Sequence, residues 1–152
     1  MSNVRYRPNV AAIVRRSDGK ILVAERADVP GCWQFPQGGQ KRTETPEQAL
    51  RRELREELAL EPGSYRCVAQ RGPYRYRFMD GHTKDGFHGQ EQTYFLLELL
   101  TDDESAVNVA TAHPEFRAAR WIAPGDFVLA WLPEFKRATY CRVFRDFFGI
   151  AL

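Results

Sequence analysis

Leu50, Leu54 and Leu58 recur every fourth residue, and Glu53, Glu56 and Glu57 fall beside them at i, i+3 and i+4. Both spacings are satisfied at once only by a helix with two distinct faces. The leucine stripe must be buried, which leaves the carboxylates gathered on another face. The start of the helix is marked by Thr45 as N-cap, Pro46 at the first helical position and Gln48 at capping-box distance. Pro62-Gly63 closes the segment, and a glycine pair, Gly38-Gly39, stands just upstream. Carboxylates this close repel one another. Two arrangements relieve that: a solvated helix with pairs such as Arg52 with Glu56, or a hard divalent cation, Mg²⁺ or Mn²⁺, completed by substrate phosphates. The second suits the glycines, which let backbone N–H groups approach an anion at a helix N-terminus.

The rest of the chain supplies a sheet for this helix. Strands are expected at 9–15 and 20–25, joined as a hairpin by Ser17-Asp18-Gly19. Residues 33–35 are short and apolar, and 36–39 break them. Two further strands are expected at 64–70 and 74–78; in the second, Tyr74, Tyr76 and Phe78 alternate with Arg75 and Arg77, so aromatics face one way and cations the other. A polar loop over 80–89, strands at 92–100 and 118–122, and a final helix over 134–148 complete the chain. Strands, helix, strands, helix predict an α/β (α+β) fold with a mixed sheet. The 152 residues suit a single domain, 1–152.

Composition narrows the function classes. No apolar run approaches the roughly 20 residues of a membrane span, and the N-terminus lacks the apolar core of a signal peptide. Cys32, Cys67 and Cys141 are odd in number and unpatterned, which predicts free thiols and a cytoplasmic protein. A net charge of +2 does not by itself require a polyanion partner, although arginines cluster near the start and again at Arg71, Arg75 and Arg77. His82, His88 and His113 lack metal-ligand spacing and are expected in surface loops.

From Gly38 through Glu44 to Arg52-Glu53-Leu54-Arg55-Glu56-Glu57-Leu58-Ala59-Leu60 the chain resembles the Nudix box: glycine, five residues, glutamate, seven residues, then R-E-U-x-E-E-x-G-U, with U a bulky aliphatic. Only Ala59 departs, standing where the family has the glycine that ends the helix. The resemblance implies a mixed sheet sandwiched between helices and a metal-dependent hydrolase of nucleoside diphosphates linked to another group. It further implies Glu53, Glu56 and Glu57 as metal ligands, Arg52 as the residue orienting a carboxylate, Glu44 in a supporting role, and Gly38 close to metal or phosphates.

Flanking segments are similar to the bacterial RNA pyrophosphohydrolases and the related dinucleoside polyphosphate hydrolases: Tyr6 to Val10, Trp33 to Gly39, Gly89 to Leu96, Pro114-Glu115-Phe116 with Arg120-Trp121, and Phe135-Lys136-Arg137 with Tyr140. That likeness makes Glu115 a fourth carboxylate, as metal ligand or base; alone it would be an exposed loop glutamate. Phe135 and Lys136 would lie near the base and phosphates of an RNA end, or Phe135 would pack in the core. Gly39 joins Gly38 beside the phosphates. Arg26 is a candidate phosphate contact or a solvated arginine; Arg75 and Arg77 line a polyanion groove or a solvated strand face. The activity implied is Mg²⁺-dependent phosphoanhydride hydrolysis at the 5′ end of RNA, with Glu57 or Glu115 as base. The alternatives are a dinucleoside polyphosphate hydrolase, a pyrophosphatase for modified nucleoside triphosphates, and a binding module that has lost catalysis; the intact glutamates argue against the last. Oligomeric state is not encoded in any of these features.

Overall fold

The computed structural model describes residues 3–79 and 81–152. The sheet is organised around β1 (Tyr6–Arg15). Alternate side chains of this strand enter opposite clusters: Val10, Ala12 and Val14 on one face, Ala11 and Ile13 on the other. A strand buried on both faces reads as a continuous apolar run, as NVAAIV does.

One edge of β1 lies parallel to β6 (Gly89–Leu99), in register from Tyr6 opposite Gly89 to Arg15 opposite Glu98. Its other edge is divided. Arg15 opposes Ile21 of β2 (Ile21–Arg26), whereas Asn9, Val10 and Ala11 oppose Gly39, Gly38 and Gln37 of β4 (Gln37–Gly39). β2 turns away to pair with β3 (Trp33–Gln34) and with β7 (Phe116–Ile122). β5 (Tyr65–Arg77) runs antiparallel to β6 at the far side, giving the order β3-β2-β1-β6-β5.

Helices cover both faces. α1 (Pro46–Leu58) buries Leu50, Leu54 and Leu58 with Val10, Ala12 and Phe95; each such leucine contributes about 2 kcal/mol of burial. α2 (Glu134–Phe148) buries Tyr140, Val143 and Phe144 against Phe35 and Tyr94. Phe35 stacks on Tyr140, centroids 5.3 Å apart, and its N–H donates to the Tyr140 hydroxyl at 3.0 Å. Among the described residues no helix is long and apolar enough to cross a membrane.

The mixed sheet between helices matches the expected fold, and α2 has the expected bounds. Three expectations are corrected. The 9–15/20–25 hairpin exists only at its turn, because β4 takes over the edge of β1. The glycine segment expected to break the chain is itself a strand. The strands expected at 64–70 and 74–78 are one strand, Tyr65–Arg77, with register shifts at Cys67/Ala69 and Arg71/Tyr74 rather than an interruption. The polar loop expected over 80–89 begins at Asp80, outside the described residues.

The ends of α1 follow its sequence. Thr45 Oγ1 accepts from Gln48 N at 3.2 Å, and Thr45 N donates to Gln48 Oε1 at 2.9 Å, which is a complete capping box. Ala59 then adopts the left-handed conformation, φ 53°, and its N–H and that of Leu60 turn back onto the last carbonyls. A Cβ there costs on the order of 1 kcal/mol. Ala59→Gly is therefore expected to stabilise the protein by up to about 1 kcal/mol, read as a higher urea midpoint with unchanged slope.

Candidate active site

α1 lies against the sheet with Glu53 and Glu57, one turn apart, facing β4. Gly38 is required by space, since a Cβ there would fall on the Glu53 carboxylate. Gly39 similarly leaves room for the Arg7 guanidinium. The loop before β7 brings in Glu115, whose backbone carbonyl accepts from Ala27 N at 2.9 Å and so ties that loop to the end of β2. Carboxylate oxygens of Glu53, Glu57 and Glu115 lie within 4.8 Å of one another.

These three groups are held above their ordinary range. Burial is the main cause for each; Glu57, further raised by neighbouring Glu115, is pushed up to about 8. Glu57 Oε2 is buried with no hydrogen-bond partner. A buried, unpartnered carboxylate oxygen among two other carboxylates is a poor protein interior but a suitable oxygen donor set for a hard divalent cation. Glu56, expected in the same set, lies outside it: its side chain is half exposed and its carboxylate takes Arg52 Nη1 at 3.4 Å.

Arg52 organises the helix face. Its Nε and Nη2 donate to both oxygens of Glu44 at 2.7 and 2.8 Å, Nη2 also to the Gly39 carbonyl at 2.8 Å, and Nη1 to Glu53 Oε1 at 2.8 Å. This bidentate pair holds the Glu44 carboxyl down at about 2. The geometry thus has Arg52 orienting a carboxylate and Glu44 anchoring Arg52.

In front of the glutamates opens a cavity of about 610 Å³. One wall is aromatic: Phe135 lies 5.7 Å from Tyr76 and 6.3 Å from Phe78, centroid to centroid, so it both packs and lines. Lys136 is buried and donates to Gln34 Oε1 at 3.1 Å; burial first, then Arg26, lowers it to about 8. Arg26 lines the cavity but is held by Asp28 at 2.6 Å.

Arg75 and Arg77 do not line the cavity; of the two arrangements expected for them the structure has the second, with both arginines exposed on the strand face. Tyr76 points into the cavity, so period-two alternation turns both arginines away; Arg75 pairs with Glu91 at 2.7 Å. Reasoning from sequence missed the amide floor, where Gln92 Nε2 donates to Asn9 Oδ1 at 2.9 Å and Gln37 Oε1 at 2.6 Å, next to buried Gln90 and Gln34. The available signal was polar residues inside strands otherwise apolar. It also missed Lys84 and the position of Arg7, both at the cavity. The three histidines join no metal-holding group among the described residues.

A family profile described as NUDIX domain matches residues 5–143. The chain belongs to the NUDIX family. It is 40% identical over 147 residues to an RNA pyrophosphohydrolase of Hahella chejuensis, covering 93% of this chain and 90% of that one. It is also 40% identical over 146 residues to one of Pseudomonas aeruginosa, covering 93% and 91%. Two solved structures share the fold at 18% identity. One is a C. elegans Ap4A hydrolase binary complex, with TM-score 0.66 over 94% of this chain and 98% of that one. The other is a MutT protein from Methanosarcina mazei Go1, with TM-score 0.67 over 96% and 98%. The chain is thus a Nudix pyrophosphohydrolase, a class that uses divalent metal ions, and it carries an acidic group able to hold one.

The Glu44–Arg52 pair has a pH signature. A carboxyl whose folded pKa is depressed stabilises the fold above its unfolded pKa and loses that contribution as pH falls through the folded one. Glu44→Gln should lower the urea midpoint at neutral pH, and the gap to wild type should narrow between about pH 5 and about pH 2.

Proposed function

We propose that this Nudix pyrophosphohydrolase acts on the 5′ end of RNA, releasing diphosphate from a triphosphate end or phosphate from a diphosphate end. The observation that carries the reading is 40% identity, over nearly the whole chain, to proteins named RNA pyrophosphohydrolase. The likeness to an Ap4A hydrolase is one of fold, so the dinucleotide reading is the weaker one. In this reading residues 1–152 form one domain, and the three free cysteines agree with a cytoplasmic location.

Glu53, Glu57 and Glu115 would hold Mg²⁺, with Mn²⁺ as a substitute, and Glu56 would join them by turning from Arg52. When bound, such an ion supplies charge neutralisation on phosphate oxygens and a more acidic water. The chain's own residues do the rest. Arg52 fixes Glu53, and Gly38 and Gly39 keep side chains off the phosphate path. Arg7, Lys84, Arg26 and Lys136 set positive charge around the same cavity, where negative charge builds up in the transition state. Phe135, Tyr76 and Phe78 offer apolar faces to a nucleobase. Water adds to phosphorus, the bond to the bridging oxygen breaks, and the water's proton passes to a carboxylate oxygen of Glu57 or Glu115. A 5′-monophosphate end remains.

Two measurements test this. Glu57→Gln should fold normally and lose about 10²-fold or more in kcat, as expected for removal of one electrostatic stabiliser. Glu56→Gln should also lose activity, but less, because Glu56 joins the group only by leaving Arg52; near-wild-type turnover by Glu57→Gln at saturating Mg²⁺ would refute the metal assignment. The second is kcat/KM on 5′-triphosphate RNA, 5′-diphosphate RNA and diadenosine tetraphosphate across a salt series. RNA should be preferred and more salt-sensitive, by about 0.7 in logarithmic slope per phosphate contacted; equal values and slopes would favour the dinucleotide.

A further inference from the structure

Beside the active-site cavity lies a second groove of about 600 Å³, lined by Arg5, Arg7, Lys41, Arg42 and Phe87, with no carboxylate among its described lining residues. Arg26, Arg52 and Arg75 are each held by an acid; among the described residues, none of the four groove cations is. The groove adjoins the active site through one shared residue. Arg7, lying against Gly39, lines both.

The wall carrying Phe87 is built in advance. Lys84 and Phe87 exchange backbone hydrogen bonds of 2.9 Å, and Asp85 and Gly86 between them have φ of 53° and 80°. That is a type I′ turn with its favoured Asp-Gly pair. The turn is strapped to the N-terminal strand: Arg5 N donates to His88 Nδ1 at 3.0 Å, and His88 N to the Arg5 carbonyl at 2.8 Å. It gives Lys84 to the active-site cavity and Phe87 to the groove. The Arg5 guanidinium lies 4.9 Å from the centre of the Phe87 ring. Unpaired cations along a channel with an aromatic and guanidinium platform are the elements of single-strand recognition: phosphates meet the cations, and a base stacks on the platform.

We propose that this groove is the track for the nucleotides downstream of the reacting 5′ end. The backbone phosphates of a single-stranded RNA would meet Arg5, Lys41 and Arg42, and a base would stack on Phe87. The inference rests on the RNA reading above and adds where the rest of the strand goes. A dinucleoside polyphosphate has no continuing backbone to place there.

The test uses the full chain, a Lys41→Gln/Arg42→Gln variant and Phe87→Ala. Lys41 and Arg42 are exposed, and their replacement leaves the strapped turn intact, so the double variant holds even if Phe87→Ala disturbs its loop. The substrates are 5′-triphosphate RNAs of two and of about ten nucleotides, a length within the span such grooves track. Wild type should prefer the longer RNA in kcat/KM. The double variant should lose that preference, keep its rate on the dinucleotide, and show a salt slope on the longer RNA lower by about 0.7 for each side chain removed. Its affinity for a ten-nucleotide RNA with a 5′-hydroxyl, measured by anisotropy, should fall in parallel. Equal wild-type turnover of both RNAs, or equal loss on both in the variants, overturns the groove assignment alone. Turnover of diadenosine tetraphosphate with no cleavage of either RNA overturns the RNA reading, and the track with it.

Discussion

Arg52 is the joint between the two halves of the candidate active site. A guanidinium has five N–H donors in a fixed plane, and here the fork reaches the helix, the β4 ledge and the loop between them. Glu44 takes one edge, the Gly39 carbonyl a corner, and Glu53 the remaining Nη. A lysine has no such plane and would hold one of these partners at a time. Because Arg52 fixes Glu53, the Glu53 carboxylate can rest where Gly38 has no side chain. The glycine, the arginine and both glutamates are thus one geometric unit spread from Gly38 to Glu53.

The cavity that this unit borders is divided by charge. Glu53, Glu57 and Glu115 occupy one side; Arg7, Arg26, Lys84 and Lys136 line other parts. Burial raises the acids and lowers Lys136, so each side resists its own charge. Cation and phosphate together answer both sides. Neither does so alone, which is why a metal–phosphate pair suits this cleft better than a simple anion or a simple cation.

What could be read in the sequence was local. The capping box, the leucine stripe and the left-handed Ala59 depend on residues a few positions apart, and the structure has all three. Glu53 and Glu57 share a face for the same reason. Other features depended on what lies across the sheet. Alternation in β5 separated Tyr76 from Arg75 and Arg77 but could not say which face met the cavity. Glu56 has the spacing to share that face, yet its carboxylate lies against Arg52, outside the group formed by Glu53, Glu57 and Glu115. Gln90 and Gln92 stood in the sequence only as part of the Gly89 to Leu96 resemblance, and their places in the amide floor appear only where β6 meets β1. Glu115 was recognisable by resemblance alone, because nothing near it in sequence brings it to α1.

The divided edge of β1 makes the floor of the candidate site a matter of register. Asn9 sits beside Gly39 on one side and Gln92 on the other, and Val10 beside Gly38 and Thr93. Sliding β1 by one residue one way would put Val10 in the place of Asn9 at the amide floor, and the other way would put Asn9 in the place of Val10 among the leucines. The alignment that fills the core is therefore the alignment that sets the glycine ledge against the amides. The chain has no way to fold its interior correctly and assemble this floor wrongly.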